Sequence, residues 1–211
     1  MKLYGARLSP YVMRPMLVSR AKGSPIEAAD FDGGIKSAAY LALSPMGKMP
    51  LLVDGDFVLP ESQPIAEYLD AVLDGPKLTP ADPRTAARVG LICRLADTYF
   101  VQHLGGLFGA RDKPEGLAPA KAGIGDALAY IEHFRDAGDD FAVGDSFTLA
   151  DAALIPLFFF LDAMDRNLGT AALIAAQPGV AAYWGRAKAM PLGSQCVAEQ
   201  AEGLKAMMAG R

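Results

Sequence analysis

The chain has 211 residues, 52% of them hydrophobic, and a formal net charge of −4. The hydrophobic content excludes a disordered chain, and the acidic balance, without a basic stripe, argues against nucleic acid or an acidic membrane surface as a partner. Two cysteines are too few for a disulfide framework, which favours a reducing compartment.

The first third of the chain alternates between strand and helix patterns. Ser9 and Pro10 predict a helix start, because serine is a favoured N-cap and proline suits the first helical position. An Asp-Gly pair between two short apolar runs predicts a hairpin. The predicted elements are strands over 2–6 and 25–31, a looser segment over 32–42, a hairpin over 50–59, and helices over 9–22 and from 62.

Residues 74–83 contain three prolines and a glycine, which is typical of a linker. Beyond them only helical patterns follow, over 84–107, 119–137, 149–164, 179–189 and 192–208. The predicted fold is therefore α/β plus all-α, with two helices on a four-stranded mixed sheet followed by a helical bundle. The predicted domains are 1–76 and 84–211, joined by a linker over 77–83.

Nothing in the sequence predicts a membrane segment or a metal site. Arginines at 7, 14 and 20 interrupt any apolar run near the N-terminus, so no signal peptide is predicted. The most apolar stretch, 154–161, is too short to cross a bilayer. The two histidines, His103 and His133, have no metal-ligand spacing to cysteines or carboxylates. We predict a cytoplasmic protein without a metal.

Ser9 is a candidate catalytic hydroxyl. At a helix N-terminus it can simply cap the helix, or it can donate to an anion such as a thiolate, which the helix dipole also stabilises. Pro15 interrupts the same helix and is expected to kink it. Tyr4 and Tyr11 are rival hydroxyls; Tyr4 is expected in the strand, and Tyr11 in the first turn of the helix.

The segment Ser44-Pro45-Met46-Gly47-Lys48-Met49-Pro50 joins a loop to a strand. Pro50 is either a plain loop proline or the second residue of a cis peptide bond. In the cis form, the backbone N–H and C=O of Met49 would face outward and pair with an extended, peptide-like ligand.

Glu61 and Ser62 precede the next helix. A helix N-terminus offers free N–H groups to a carboxylate, Ser62 adds a hydroxyl, and Glu61 can accept from an ammonium. The pair would suit the α-amino-acid end of a ligand. Alternatively, Ser62 is only an N-cap, and Glu61 only interacts favourably with the helix dipole.

Taken together and in order, these motifs resemble those of the glutathione S-transferases over nearly the whole chain, in a serine-type, bacterial-like form. Ser9 with Arg14 is similar to the serine-type catalytic motif, and the Pro50 segment to the family's cis-proline loop, with Ser44 where the family usually has asparagine. Glu61-Ser62 resembles the pair that binds the γ-glutamyl group. The segment 147–151 resembles the capping segment of the second domain and has the form of a capping box.

The resemblance implies glutathione as co-substrate, a thioredoxin-like N-terminal domain and a homodimer. Ser9 would donate to the glutathione sulfur, and Met49, beside Pro50, would bond the cysteinyl backbone. Glu61 and Ser62 would hold the γ-glutamyl end, and Lys48 and Lys36 would pair the glycine carboxylate.

The resemblance also assigns the helical domain to the hydrophobic substrate. The candidate pocket residues are Tyr11 and, on or just past the first long helix of the second domain, Tyr99, His103, Phe108 and Arg111. As alternatives, they belong to the core or to a dimer face. Asp97 could reach the γ-glutamyl ammonium.

The predicted activity is conjugation of glutathione to small hydrophobic electrophiles, as in detoxification. The alternatives are a glutathione-dependent isomerase or lyase, and a non-catalytic glutathione-binding module. Isomerising relatives usually carry a Ser-Ser-Cys run, whereas this chain has Ser-Pro-Tyr at that place. Thiol–disulfide exchange would need a cysteine where Ser9 stands.

Overall fold

A computed structural model of the chain describes residues 1–136 and 138–209. These residues form two compact units, one made of Met1–Leu78 together with the chain from Pro191 onward, the other of Thr79–Met190. The division falls inside the predicted linker. The last helix groups with the first unit, whereas the sequence pattern predicts it in the second domain.

The first unit is a four-stranded mixed sheet with helices. Its elements are β1 Lys2–Tyr4, α1 Pro10–Ala21, β2 Ala28–Ala29, α2 Ala38–Leu43, β3 Leu51–Asp54, β4 Phe57–Pro60, α3 Ser62–Val72 and α10 Pro191–Ala209. The strand order is β2-β1-β3-β4; β1 pairs with β2 in parallel and with β3 antiparallel, and β3 with β4 antiparallel. The predicted hairpin and mixed sheet are confirmed.

Two local predictions differ from the structure. The strand expected over 25–31 is reduced to the two residues of β2, and the segment expected to be loose contains α2. Ser37 caps α2 by accepting from the Tyr40 N–H at 3.2 Å, and the Tyr40 side chain is fully buried. A six-residue helix gains little from its own hydrogen bonds, so this burial is the main source of its stability.

A buried ion pair joins the ends of α1 and α3. The Lys22 ammonium, at the C-terminal end of α1, donates to the Asp70 carboxylate at 3.2 Å and to the Asp70 carbonyl at 3.0 Å. The same carboxylate accepts from the Leu78 N–H at 2.9 Å. Both charged side chains are almost fully buried, so this pair fixes the far end of α1, away from Ser9.

Within the described residues, the second unit consists of helical elements and loops. They are α4 Pro83–Leu95, a π-helical turn Ala96–Phe100, α5 Val101–Phe108, a 3-10 turn Pro114–Gly116, α6 Leu117–Phe134, α7 Leu149–Leu168, α8 Ala171–Ala175 and α9 Pro178–Ala187. The five predicted helical regions are present, and α8 is an addition. Ala137, the predicted end of α6, lies outside the described residues. Among the described helices, none combines the length and the apolar content that spanning a bilayer requires.

The predicted capping box at the start of α7 is confirmed. Thr148 accepts from the Ala150 N–H, and the Asp151 carboxylate accepts from the Thr148 N–H at 2.9 Å. Asp151 also accepts from the Ala142 N–H at 2.8 Å and is fully buried. The box thus fixes the preceding loop as well as the first turn of α7.

Candidate active site

The register of the sheet brings three segments of the first unit to one edge. Tyr4 on β1 pairs with Leu51 on β3, and Leu51 pairs with Pro60 on β4. Neighbouring strands lie about 4.8 Å apart. The loop that leads from β1 to Ser9, the Met49–Pro50 segment before β3 and the Glu61–Ser62 segment after β4 therefore begin side by side.

Ser9 is the N-cap residue of α1, with φ −66° and ψ 125°, and Pro10 follows at the first helical position. Its carbonyl accepts from the N–H groups of Val12 and Met13, at 3.1 and 3.0 Å. Its side chain, however, makes no capping hydrogen bond. The backbone of Ser9 thus starts the helix while its partly exposed hydroxyl remains available to a ligand, beside the positive end of the helix dipole.

The first helix continues past Pro15 as one element from Pro10 to Ala21. Within it, the buried Arg14 guanidinium donates to the Gln63 side-chain oxygen at 3.2 Å. This contact joins the first half of α1 to the first turn of α3, the two helices whose N-termini carry Ser9 and Ser62. The sequence motif pointed to Arg14, but nothing in it pointed to Gln63.

The Met49–Pro50 peptide bond is cis, as the resemblance implied. Among the described residues, neither the backbone N–H nor the backbone C=O of Met49 has a hydrogen-bond partner. Both groups are therefore free to pair with the backbone of an extended ligand. Gly5 allows the close approach of this segment: a Cβ there would lie 2.5 Å from a Val12 methyl carbon and 3.1 Å from the Met49 Cβ.

Two side chains near α2 hold the loop before Met49. The buried Tyr40 hydroxyl donates to the Lys48 carbonyl at 2.6 Å, and the Lys36 ammonium donates to the Gly47 carbonyl at 2.9 Å. Burial raises the pKa of Tyr40, so it remains a neutral donor. An ammonium has three donors, so Lys36 keeps others for an anion, and the Lys48 residue is exposed. Sequence reasoning missed the role of Tyr40.

Glu61 has φ 74° and ψ 127°, and is the one non-glycine residue with positive φ in the described chain. Such a conformation costs about 1–3 kcal/mol and is found preferentially at ligand and active sites. The Glu61 side chain is exposed and does not cap α3. Ser62 is the first residue of α3 and is 4% exposed. The pair presents a carboxylate, a hydroxyl and free helix N–H groups together.

The candidate pocket residues are divided between the two units. Tyr11 is partly buried in α1 of the first unit. In the second unit, Tyr99 in the π-helical turn is 44% exposed and packs edge to face on Tyr130, with ring centroids 5.6 Å apart. Phe108 at the end of α5 is 53% exposed and packs edge to face on Phe160.

Two further candidates in the second unit are less available. The His103 ring lies directly against Gly123 of α6, so that any side chain at Gly123 would overlap it. Asp97 lies in the π-helical turn and is partly buried. Arg111, by contrast, is exposed, just beyond α5.

Across the described residues, no cluster of three or more histidine, cysteine or carboxylate side chains is arranged to hold a metal.

Two models of known protein families match separate parts of this chain. Residues 3–77 match the family model "Glutathione S-transferase, N-terminal domain", and residues 97–186 match "Glutathione S-transferase, C-terminal domain". Glutathione S-transferase 3 of Zea mays is 34% identical over 213 residues, which cover 94% of this chain and 93% of the maize protein.

Solved structures agree. A glutathione S-transferase III in apo form has a TM-score of 0.77 at 31% identity, covering 93% of this chain and 95% of its own. A maleylacetoacetate isomerase from Methylobacterium extorquens AM1, with bound malonate and GSH, has a TM-score of 0.75 at 23% identity, with 93% and 95% covered, and shares the fold. With both domain models matched and a full-length relative at 34% identity, the chain belongs to the glutathione S-transferase family, a family of enzymes.

Proposed function

We propose that this chain conjugates glutathione to small hydrophobic electrophiles, with the Ser9 hydroxyl donating to the glutathione sulfur and stabilising its thiolate. The observation that carries the proposal is the Ser9 hydroxyl itself. It lies at the N-terminus of a buried helix and is not used as a cap. The loop that leads to it begins beside the segments that carry Met49 and Glu61.

The required stabilisation is within reach of one hydroxyl and a helix dipole. A free thiol has a pKa of about 8.5, so lowering it by two units takes roughly 2.7 kcal/mol. A hydrogen bond to a charged group contributes about 1.5–3 kcal/mol, and the dipole adds about 0.3–1 kcal/mol. The thiolate, the reactive form, would then be the main species at neutral pH.

The rest of glutathione matches the groups at the same edge. The backbone of Met49 would pair with the cysteinyl residue as an added strand does. The γ-glutamyl end carries a carboxylate for Ser62 and the start of α3, and an ammonium for Glu61. Lys48 and Lys36 would neutralise the glycine carboxylate.

The first test is the ultraviolet absorbance of the thiolate, titrated against pH with glutathione bound. We expect a bound-thiol pKa well below the free value in the wild type. Ser9→Ala removes the hydroxyl, so the pKa of the bound thiol should rise by about one to two units. Turnover with an activated aryl halide should fall in parallel. The Kd for glutathione, measured at a pH where the bound thiol is protonated, should change little, since the other contacts remain.

Tyr11→Phe is the matched control, because it removes a rival hydroxyl two residues away and preserves the ring. It should leave the pKa of the bound thiol unchanged. If Ser9→Ala has no effect and Tyr11→Phe raises the pKa, the assignment of Ser9 is wrong. Binding without any ionisation would instead favour a non-catalytic module. Glutathione that is regenerated, not consumed, during turnover would identify an isomerase or lyase.

We also propose that the protein acts as a homodimer in the cytoplasm, as the family resemblance implies. Light scattering on the purified protein tests the first part: a dimer has twice the 22.2 kDa mass of the chain. A particle of the chain mass at working concentration would contradict it.

A further inference from the structure

The last helix contacts the loop that carries Ser9. Gln200 on α10 is fully buried, and its side-chain nitrogen donates to the carbonyl of Leu8, the residue before Ser9, at 3.2 Å. One turn later, Gly203 lies against the same residue: a Cβ there would be 3.1 Å from the Leu8 Cβ and 3.4 Å from the Leu8 Cα. Both contacts lie inside the first unit.

These contacts fix one peptide plane from both sides. The Leu8 carbonyl and the Ser9 N–H belong to the same planar peptide unit. Gln200 holds the carbonyl, while the Ser9 N–H donates to the Ala6 carbonyl at 2.9 Å. The plane is thus held at both polar ends, and the Ser9 carbonyl is bound by the first turn of the helix, so hydrogen bonds hold the backbone on both sides of the Ser9 side chain.

The Gln200 side chain is itself held in place. The Cys196 thiol, one turn earlier and fully buried, donates to the Gln200 side-chain oxygen at 3.3 Å. Burial raises the pKa of Cys196, so the thiol stays protonated as this donor requires. The neighbouring residue, Glu199, accepts from the Arg20 guanidinium of α1 at 3.1 Å. This ion pair anchors α10 on the same helix that Ser9 starts.

We propose that Gln200 is a positioning residue for the reaction, acting through the Leu8–Ser9 peptide to aim the Ser9 hydroxyl at the glutathione sulfur. The inference rests on the proposed function of Ser9. Burying a glutamine amide is costly unless its polar ends are hydrogen-bonded. Both ends of the Gln200 amide are bonded, and its donor is directed at the residue before the reactive hydroxyl.

The test replaces Gln200 with methionine, which has a similar shape but no amide. Gln200→Met should raise the pKa of bound glutathione by about half a unit or more, since the hydrogen bond from Ser9 to sulfur becomes misaligned. Turnover should fall about tenfold, because displacements of about 1 Å cost up to a hundredfold. The Kd for glutathione, measured where the thiol is protonated, should change less than about twofold.

Gln195→Met is the matched control, since Gln195 lies on the same helix, is exposed and bonds only the nearby Glu199. It should change neither the pKa nor the turnover. Gly203→Ala is a second variant, which forces Leu8 to move by a few tenths of an ångström. It should raise the pKa in the same direction, and it decides the question if Gln200→Met does not fold.

A double variant separates positioning from general damage. In the Ser9→Ala background, Gln200→Met should produce no further rise in the pKa, because there is no hydroxyl left to aim. An unchanged pKa in Gln200→Met, beside a raised pKa in Ser9→Ala, overturns the inference and leaves the proposed function standing. Additive effects overturn it too. A Ser9→Ala protein with an unchanged pKa refutes the proposed function and this inference with it.

Discussion

The buried carboxylate of Asp151 predicts an unusual dependence of stability on pH. Asp151 accepts hydrogen bonds from the Ala142 N–H at 2.8 Å, the Thr148 N–H at 2.9 Å and the Thr148 hydroxyl at 3.0 Å. Burial nevertheless dominates and raises its pKa from 3.8 to about 6. The folded state therefore binds this proton more tightly than the unfolded chain does.

The direction and size of the effect follow from linkage. The stabilising contribution is fully present below about pH 3.8 and is lost as the pH rises through about 6. The shift corresponds to roughly 3 kcal/mol, of which about 2 kcal/mol is lost between pH 4.5 and 7.5. Most carboxylates, whose folded pKa is lowered, act in the opposite direction.

Urea unfolding of the wild type and of Asp151→Asn isolates this contribution, because the asparagine does not titrate. The fluorescence of Trp184, the single tryptophan, reports on the same unit and is buried there. The free energy of unfolding of the wild type minus that of the variant should fall by about 2 kcal/mol from pH 4.5 to 7.5. A difference that is flat, or that rises with pH, refutes the reasoning.

Two further predictions concern the end of α1 and are checked by thermal and urea unfolding followed by circular dichroism. Gly75 has φ 107°, and a side chain there would overlap the Lys22 carbonyl, so Gly75→Ala should lower the free energy of unfolding by about 3 kcal/mol or more. The control Gly55→Ala, at φ 63° in open space, should lower it by only about 1 kcal/mol. Equal losses in the two variants would contradict the steric argument. Lys22→Met removes the ammonium from the buried pair with Asp70 and should lower the free energy of unfolding by about 3 kcal/mol. Lys188→Met, in an exposed pair, should lower it by less than about 1 kcal/mol. A similar small loss for both variants would mean that burial adds nothing to the Lys22 pair.

Local chemistry in the sequence was enough for much of the fold. The start of α1 at Ser9-Pro10, the turn after Asp54 and the capping box at Thr148 and Asp151 all lie where local rules placed them, because caps and tight turns depend on a few adjacent residues. The helix α2 was missed. Its stability comes from the burial of Tyr40, which depends on residues distant in sequence.

The candidate site was predicted as a set of separate motifs. Each of Ser9, Met49 and Glu61 also had an ordinary structural explanation, and the sequence left both open. The strand register decided that the segments leading to these residues begin side by side, since Tyr4, Leu51 and Pro60 pair across three strands. The positive φ of Glu61 could not be anticipated, because local preference disfavours it for any residue with a Cβ.

The sequence alone was enough for the family, for the residue types at the candidate site and, apart from α2 and α8, for the order of helices and strands. Each of these is encoded by neighbouring residues or by motifs of fixed spacing. The grouping of α10 with the first unit, and the contact of Gln200 with the Leu8 carbonyl across 192 positions of sequence, depend on the packing of distant segments. An amphipathic pattern indicates which face of a helix is buried, but the packing of the whole chain decides which surface covers that face.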